Sequence, residues 1–96
     1  MGKSEILDVL RKYKAKNSEK YGITRLGVFG SVARDETHPG SDIDIVIGMK
    51  KPDLFYMVHI KEDLEKECHQ KVDIIHYRDT MNPFLKKRID RDAVYA

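Results

Sequence analysis

A single cysteine, Cys68, leaves this chain without an internal disulfide. Such usage suits a reducing cytoplasm. The opening residues, Met1-Gly2-Lys3-Ser4-Glu5-Ile6, hold no apolar signal region. No run approaches the roughly 20 apolar residues that a bilayer span needs. Gly2 opens like a myristoylation site, but Ile6 stands where that motif wants Ser or Thr. A cytoplasmic protein with no membrane contact is therefore expected. A charge excess is missing too, because 18 Lys plus Arg against 16 Asp plus Glu leave only +2. That balance gives no reason to expect direct nucleic-acid binding, which usually needs a stronger basic surplus. The four histidines show no zinc spacing, and Cys68-His69 lacks a partner pair. Repeats, low-complexity tracts and internal boundaries are absent as well. With 96 residues, this argues for one domain over residues 1–96.

What is present is a globular composition, 41% hydrophobic and 35% charged, too apolar for a disordered chain. Residues 4 to 17 read as a helix with an apolar stripe of Ile6, Leu7, Leu10 and Tyr13. Ser4 is its expected N-cap and Gly22 its terminator. Thr24 to Phe29 reads as a strand, where Gly27 marks either the close approach of another backbone or simply a tolerated weak spot. Ser31 to Asp35 reads as about one helical turn, and Pro39-Gly40 as a tight turn. Ser41 to Gly48 is a second strand. Asp53 can cap a helix to about His69, with Leu54, Met57, Val58, Leu64 and Cys68 near one face and Lys61 interrupting. The consecutive Phe55, Tyr56 and Met57 cannot all face one core, so they pack at its edge or meet a partner. Val72 to Tyr77 is a third strand. Asn82-Pro83 starts a last helix to about Asp90, with Phe84, Leu85 and Ile89 on its apolar side. Its Lys86-Lys87-Arg88 run is either a solvated face or a surface for an acidic partner or RNA. Ala93 to Tyr95 adds a short edge strand. This order predicts an α/β (α+β) fold, a small mixed sheet of three to four strands. Its helices are expected on one face, leaving the carboxylate-bearing face open.

The chemistry gathers between Val28 and Ile47. Side chains two apart on a strand share a face, so Asp42 and Asp44 point one way while Ile43, Ile45 and Ile47 point the other. Adjacent carboxylates repel unless a cation stands between them. They are hard oxygen ligands suited to Mg²⁺, which keeps waters and takes substrate phosphates into its shell. Two such ions can clamp the attacking and leaving oxygens of an in-line displacement. Asp73 on the third strand is the candidate third carboxylate, for metal binding and for deprotonating an attacking hydroxyl. Asp79, just beyond that strand, is a possible substitute. Gly30 permits close backbone approach to a phosphate, and Ser31 adds a hydroxyl at the start of the expected helical turn. Arg34 either contacts phosphate or forms an exposed ion pair. Ser41 either touches the nucleotide or a metal-bound water, or caps the turn.

The text Phe29-Gly30-Ser31-Val32-Ala33-Arg34, then Ser41-Asp42-Ile43-Asp44-Ile45, with ten residues between Ser31 and Asp42, resembles the signature of the polymerase-β-type nucleotidyltransferases. The short length makes it most similar to their minimal branch, and Val72-Asp73-Ile74-Ile75 resembles the strand with the third carboxylate. The resemblance implies transfer of a nucleoside monophosphate from an NTP to an acceptor, with release of pyrophosphate. It implies that Gly30 and Ser31 hold the triphosphate and that Asp42, Asp44 and Asp73 surround two Mg²⁺ ions. Minimal members are often paired with a helical HEPN toxin. As antitoxins they can transfer AMP from ATP to a tyrosine of that toxin, which implies a hetero-oligomer here. Other implied readings are an antitoxin that only occludes its partner, or a small-molecule transferase of the aminoglycoside-modifying kind. Two positions depart from the pattern. Asp35 follows Arg34 where Gly is common, and Val32 stands where many members carry a polar or larger residue.

Overall fold

The structure is a computed structural model that describes residues 2–36 and 40–96. The expected turn at Pro39-Gly40 lies partly outside the described residues, since Pro39 is not among them. The elements follow as α1 (Lys3–Tyr21), β1 (Ile23–Phe29), β2 (Ile43–Met49), α2 (Leu54–Cys68), β3 (Val72–His76), α3 (Pro83–Asp92) and β4 (Val94–Tyr95). No helix among the described residues is long and apolar enough to cross a membrane.

Helix α1 outruns its expected end at residue 17. Asn17 spends its side-chain amide on the Tyr13 carbonyl one turn back, 3.2 Å away, so it does not break the helix. The stop comes at Gly22, whose φ of 67° is the left-handed cap that glycine adopts without strain. The N-cap is Gly2 rather than Ser4, because the Glu5 carboxylate reaches back to the Gly2 N–H. Ile6, Leu10 and Tyr13 are buried, and the Tyr13 hydroxyl donates to Asp63 of α2 at 2.8 Å. Burial first, then this hydrogen bond, raises the Tyr13 pKa well above the ordinary phenol value.

The sheet is four-stranded in the order β3-β2-β1-β4. β1 pairs antiparallel with β2 and with β4, while β2 pairs parallel with β3. A parallel pair needs a crossover, and α2 supplies it. Gly27 does mark a close approach. A Cβ there would stand 2.6 Å from the Val94 carbonyl oxygen, so only glycine lets β4 lie against β1.

Helices cover both faces, which corrects the expectation of one. On one face α1 and α2 close over Leu26, Val28, Ile43, Ile45, Ile47 and Val72. On the other, Ile89 of α3 packs with Phe29, Val46 and Met81. The reason lies in β1 and β2. Phe29 and Val46 share the face of Asp44, and such apolar side chains need a cover. α3 covers that part of the face and leaves the acidic end open.

The apolar stripes of α2 and α3 also differ from expectation. Asp53 caps α2 by accepting from the Phe55 and Tyr56 N–H groups at 2.9 and 3.1 Å. The helix then buries Ile60, Leu64 and Cys68, while Leu54 is 77% exposed and Val58 is exposed as well. Ile60, not Leu54, completes the i, i+4, i+8 row that faces the core. α3 starts with Pro83 at its first position, as expected, and Asn82 caps it through the Phe84 and Leu85 N–H groups, but Phe84 is 79% exposed.

Candidate active site

Strand β1 delivers the chain to Gly30, which has a φ of 70°. A Cβ on Gly30 would collide with the Asp44 carboxylate. The missing side chain therefore makes room for Asp44 and for whatever Asp44 binds. Beyond Gly30 the chain makes the one helical turn expected and goes no further. The Arg34 N–H donates to the Gly30 carbonyl, which closes one turn. The Asp35 N–H then donates to Val32 O at 3.1 Å, and the Glu36 N–H to Ser31 O at 2.8 Å. These paired bonds, with Asp35 at a φ of 56°, are a Schellman stop one turn after the start.

That stop accounts for Asp35. It holds the left-handed position at which glycine is the ordinary choice, which is where the family pattern has Gly. Its carboxylate points outward, 72% exposed, with Lys3 Nζ at 4.0 Å. Val32, the other departure, is buried in the core. Asp35→Gly is expected to stabilise the chain by about 1 kcal/mol, or roughly 4–8 °C in melting temperature, because a left-handed side chain is strained. The exposed Lys3 pair it removes is worth little. Thermal denaturation checks this, and an unchanged or lower midpoint would speak against the strain.

Asp42 is exposed just ahead of β2, and Asp44 is half-buried inside it. Asp44 sits in register with Phe29 of β1 on one side and with Asp73 of β3 on the other. Two neighbouring strands thus set two carboxylates side by side on one face, and alternation adds Asp42. Burial, then the charges of Asp73 and Asp42, push the Asp44 carboxyl above its usual range. Arg88 and Arg34 pull it the other way. Among the described residues no three His, Cys, Asp or Glu side chains form a ready-made metal cage. The donor set still fits Mg²⁺, which binds through one or two carboxylates and fills its shell with water and phosphate oxygens. A cation here would relieve the repulsion that raises Asp44.

The remaining expected residues divide. Ser31 begins the turn beside Gly30 and is half-buried. Ser41 offers its carbonyl oxygen to the Gln70 side chain at 3.4 Å. Arg34 takes the ion-pair alternative, donating to Glu36 at 3.1 Å and to Asp92 at 3.2 Å. Asp79 pairs with Lys86 at 3.6 Å and lines a separate pocket with Gly48 and Met49, whereas Asp73 shares the cleft of Asp44.

Asp44 and Asp73 open into a cleft of about 470 Å³ bordered by α2, β3 and α3. Leu54, Met57, Val58 and Lys61 form its α2 wall, and Leu85 and Arg88 its α3 wall. The sequence pattern missed this wall. Leu54, Met57 and Val58 read as core because their spacing matches a buried stripe. Lys61, which broke that stripe, was the signal that this row faces something polar.

Residues 6–95 match the family model described as polymerase beta, nucleotidyltransferase. The chain belongs to that family. It is a nucleotidyltransferase built on three helices and a four-stranded mixed sheet. A Methanocaldococcus jannaschii protein, named as a candidate protein adenylyltransferase, is 39% identical over 93 residues, covering 96% of this chain and 95% of its own. The protein adenylyltransferase MntA of Thermococcus cleftensis is 30% identical over 96% of this chain and 93% of its own. Among solved structures, a candidate minimal nucleotidyltransferase superposes with a TM-score of 0.78 at 30% identity, covering 98% of this chain and 95% of that one. A toxin–antitoxin crystal structure with AMP-PNP gives 0.72 at 19% identity over 99% of this chain and 72% of that one. A tri-AMPylated Shewanella oneidensis HEPN toxin in complex with MNT antitoxin gives 0.71 at 16% identity, over 97% and 70%. At these last two identities the likeness speaks for the fold.

Proposed function

We propose that this nucleotidyltransferase transfers AMP from ATP to a hydroxyl, a tyrosine for preference, of a partner HEPN toxin, and acts as its antitoxin. The observation that carries the reading is the registered Asp44–Asp73 pair, with Asp44 set against the glycine at position 30. Similarity to protein adenylyltransferases supports the choice of AMP and of a protein acceptor. The fold shared with a HEPN–MNT complex supports the choice of partner.

In this reading Asp42, Asp44 and Asp73 hold Mg²⁺, which supplies charge neutralisation at the reacting phosphate. Gly30 and Ser31 receive the triphosphate, Gly30 by giving it room and Ser31 through its hydroxyl. The acceptor oxygen attacks the α-phosphorus and a new O–P bond forms. The bond from that phosphorus to the bridging oxygen breaks, and the electron pair leaves with pyrophosphate. Asp73, the more exposed of the registered pair, takes the hydroxyl proton. One domain over residues 1–96 suffices for this chemistry, and the partner brings the acceptor. Exposed Leu54, Phe55 and Phe84 on the two helices that border the cleft suit contact with such a partner. The enzyme works in the cytoplasm, where ATP and Mg²⁺ are plentiful.

The test is mass spectrometry of the partner after incubation with ATP and Mg²⁺. A gain of one or more AMP units is expected, and none with Asp42→Asn/Asp44→Asn. Undiminished labelling by that double variant would sink the reading. The same apolar exposure favours a second reading, neutralisation by occlusion alone. It predicts that the double variant still silences the partner at equal concentration.

A further inference from the structure

Two cations of the cleft have no role so far. Lys61 and Arg88 line it together with Asp44 and Asp73. They come from α2 and α3, which pack on opposite faces of the sheet. Lys61 follows Leu54 and Met57 at helical spacing, so it closes the row that forms the α2 wall. Arg88 stands three residues after Leu85 on the α3 wall. Lys86, in the same basic run, turns elsewhere and pairs with Asp79. Neither Lys61 nor Arg88 forms an ion pair or hydrogen bond with a described residue. Yet both share their cleft with two carboxylates, and Asp44 feels the charge of Arg88.

This is a space with acids on the strands and unpaired cations on the helices. A neutral acceptor hydroxyl makes no use of that polarity. A metal-bound polyphosphate does, with its metal toward the acids and its free oxygens toward the cations. The volume of about 470 Å³ falls within the range of roughly 300–1,000 Å³ usual for small-molecule sites. We infer that Lys61 and Arg88 bind the phosphate chain of the nucleotide, and that Arg88 holds the pyrophosphate as it departs. The planar guanidinium can engage two phosphate oxygens at once, and the lysine acts as a point charge. Negative charge grows on the leaving oxygens as the Pα–O bond breaks, which is where a fixed cation is most effective. This inference rests on the nucleotidyl-transfer reading but not on the identity of the acceptor.

The test is binding of ATP, AMP and inorganic pyrophosphate to the full chain in Mg²⁺ by titration calorimetry. Arg88→Gln is expected to weaken ATP and pyrophosphate by roughly 10-fold to 100-fold, the worth of a hydrogen bond to a charged group. AMP, which lacks the β- and γ-phosphates, should change far less. Arg88→Lys should recover part of the loss, and Lys61→Gln should act in the same direction. Arg88 and Lys61 are exposed, so melting temperatures should stay at the wild-type value. If ATP and pyrophosphate bind both Gln variants at wild-type strength, the inference is wrong. It is also wrong if AMP falls as far as ATP. A wild-type chain that binds ATP selectively over AMP through these residues, yet labels no protein, supports the inference while overturning the proposed acceptor. A wild-type chain that binds no nucleotide overturns both.

Discussion

Gly30→Ala is expected to lower nucleotidyl transfer by roughly 100-fold or more, since a 1 Å displacement of a reacting group has that effect. Two physical faults coincide at this position. The φ of 70° suits glycine, and imposing a side chain there costs about 1–2 kcal/mol. The added methyl would also meet the Asp44 carboxylate. Asp44 sits in a strand paired on both sides, so its backbone cannot retreat. The side chain has to swing, and it carries any bound metal with it. The measurement is single-turnover AMP transfer beside a thermal melt. A modest drop in melting temperature with near-complete loss of transfer is the expected result. A near-wild-type rate would mean that Asp44 tolerates displacement and does not set the reaction geometry.

Asp44→Asn should move activity and stability in opposite directions. Transfer should fall by roughly 100-fold or more, on the scale of losing one preorganised electrostatic contact. The metal-free protein, in contrast, should become more stable. Burial and two neighbouring acids raise the Asp44 pKa, so the folded state holds this proton more tightly than the unfolded chain does. Its contribution is therefore fully present below the ordinary carboxylate value of 3.8 and fades as pH rises toward the elevated folded value. Above that window the ionised Asp44 opposes folding. The asparagine variant has no such slope. Denaturant midpoints against pH, taken with chelator, should show the wild type losing stability through the window while the variant does not. Added Mg²⁺ should raise the wild-type midpoint and leave the variant less affected. Parallel pH profiles for the two proteins would contradict this account.

Much of this site was legible because its chemistry is local in the chain. Gly30, Ser31, Asp42 and Asp44 fall within one short stretch, and strand alternation fixes the side of each acid. Asp73 was legible for another reason, since a carboxylate in an otherwise apolar strand needs an explanation. What could not be read was set by distant packing. The cover over Phe29 and Val46 comes from α3, dozens of residues away, so its face could not be chosen from local pattern. The same holds for Leu54 and Val58. Period alone does not tell a buried row from one lining a cleft. Asp35 looked misplaced only because its backbone angle was unknown. Once the one-turn stop is seen, a residue tolerant of left-handed geometry is what the position requires.

The parallel pairing of β2 with β3 has a consequence for how such a site can change. Asp44 and Asp73 meet because Ile43 is aligned with Val72, and the alignment moves only in whole residues. A slip of one residue would turn Val72 or Ile74 toward Asp44 and send Asp73 to the far side. Lengthening or shortening α2 leaves the match untouched as long as the strands keep step. The spacing of the two acids therefore behaves like a digital setting, insulated from drift in the crossover that joins them. Gradual adjustment has to come from the helices that flank the cleft, where side chains can change one at a time without resetting the count.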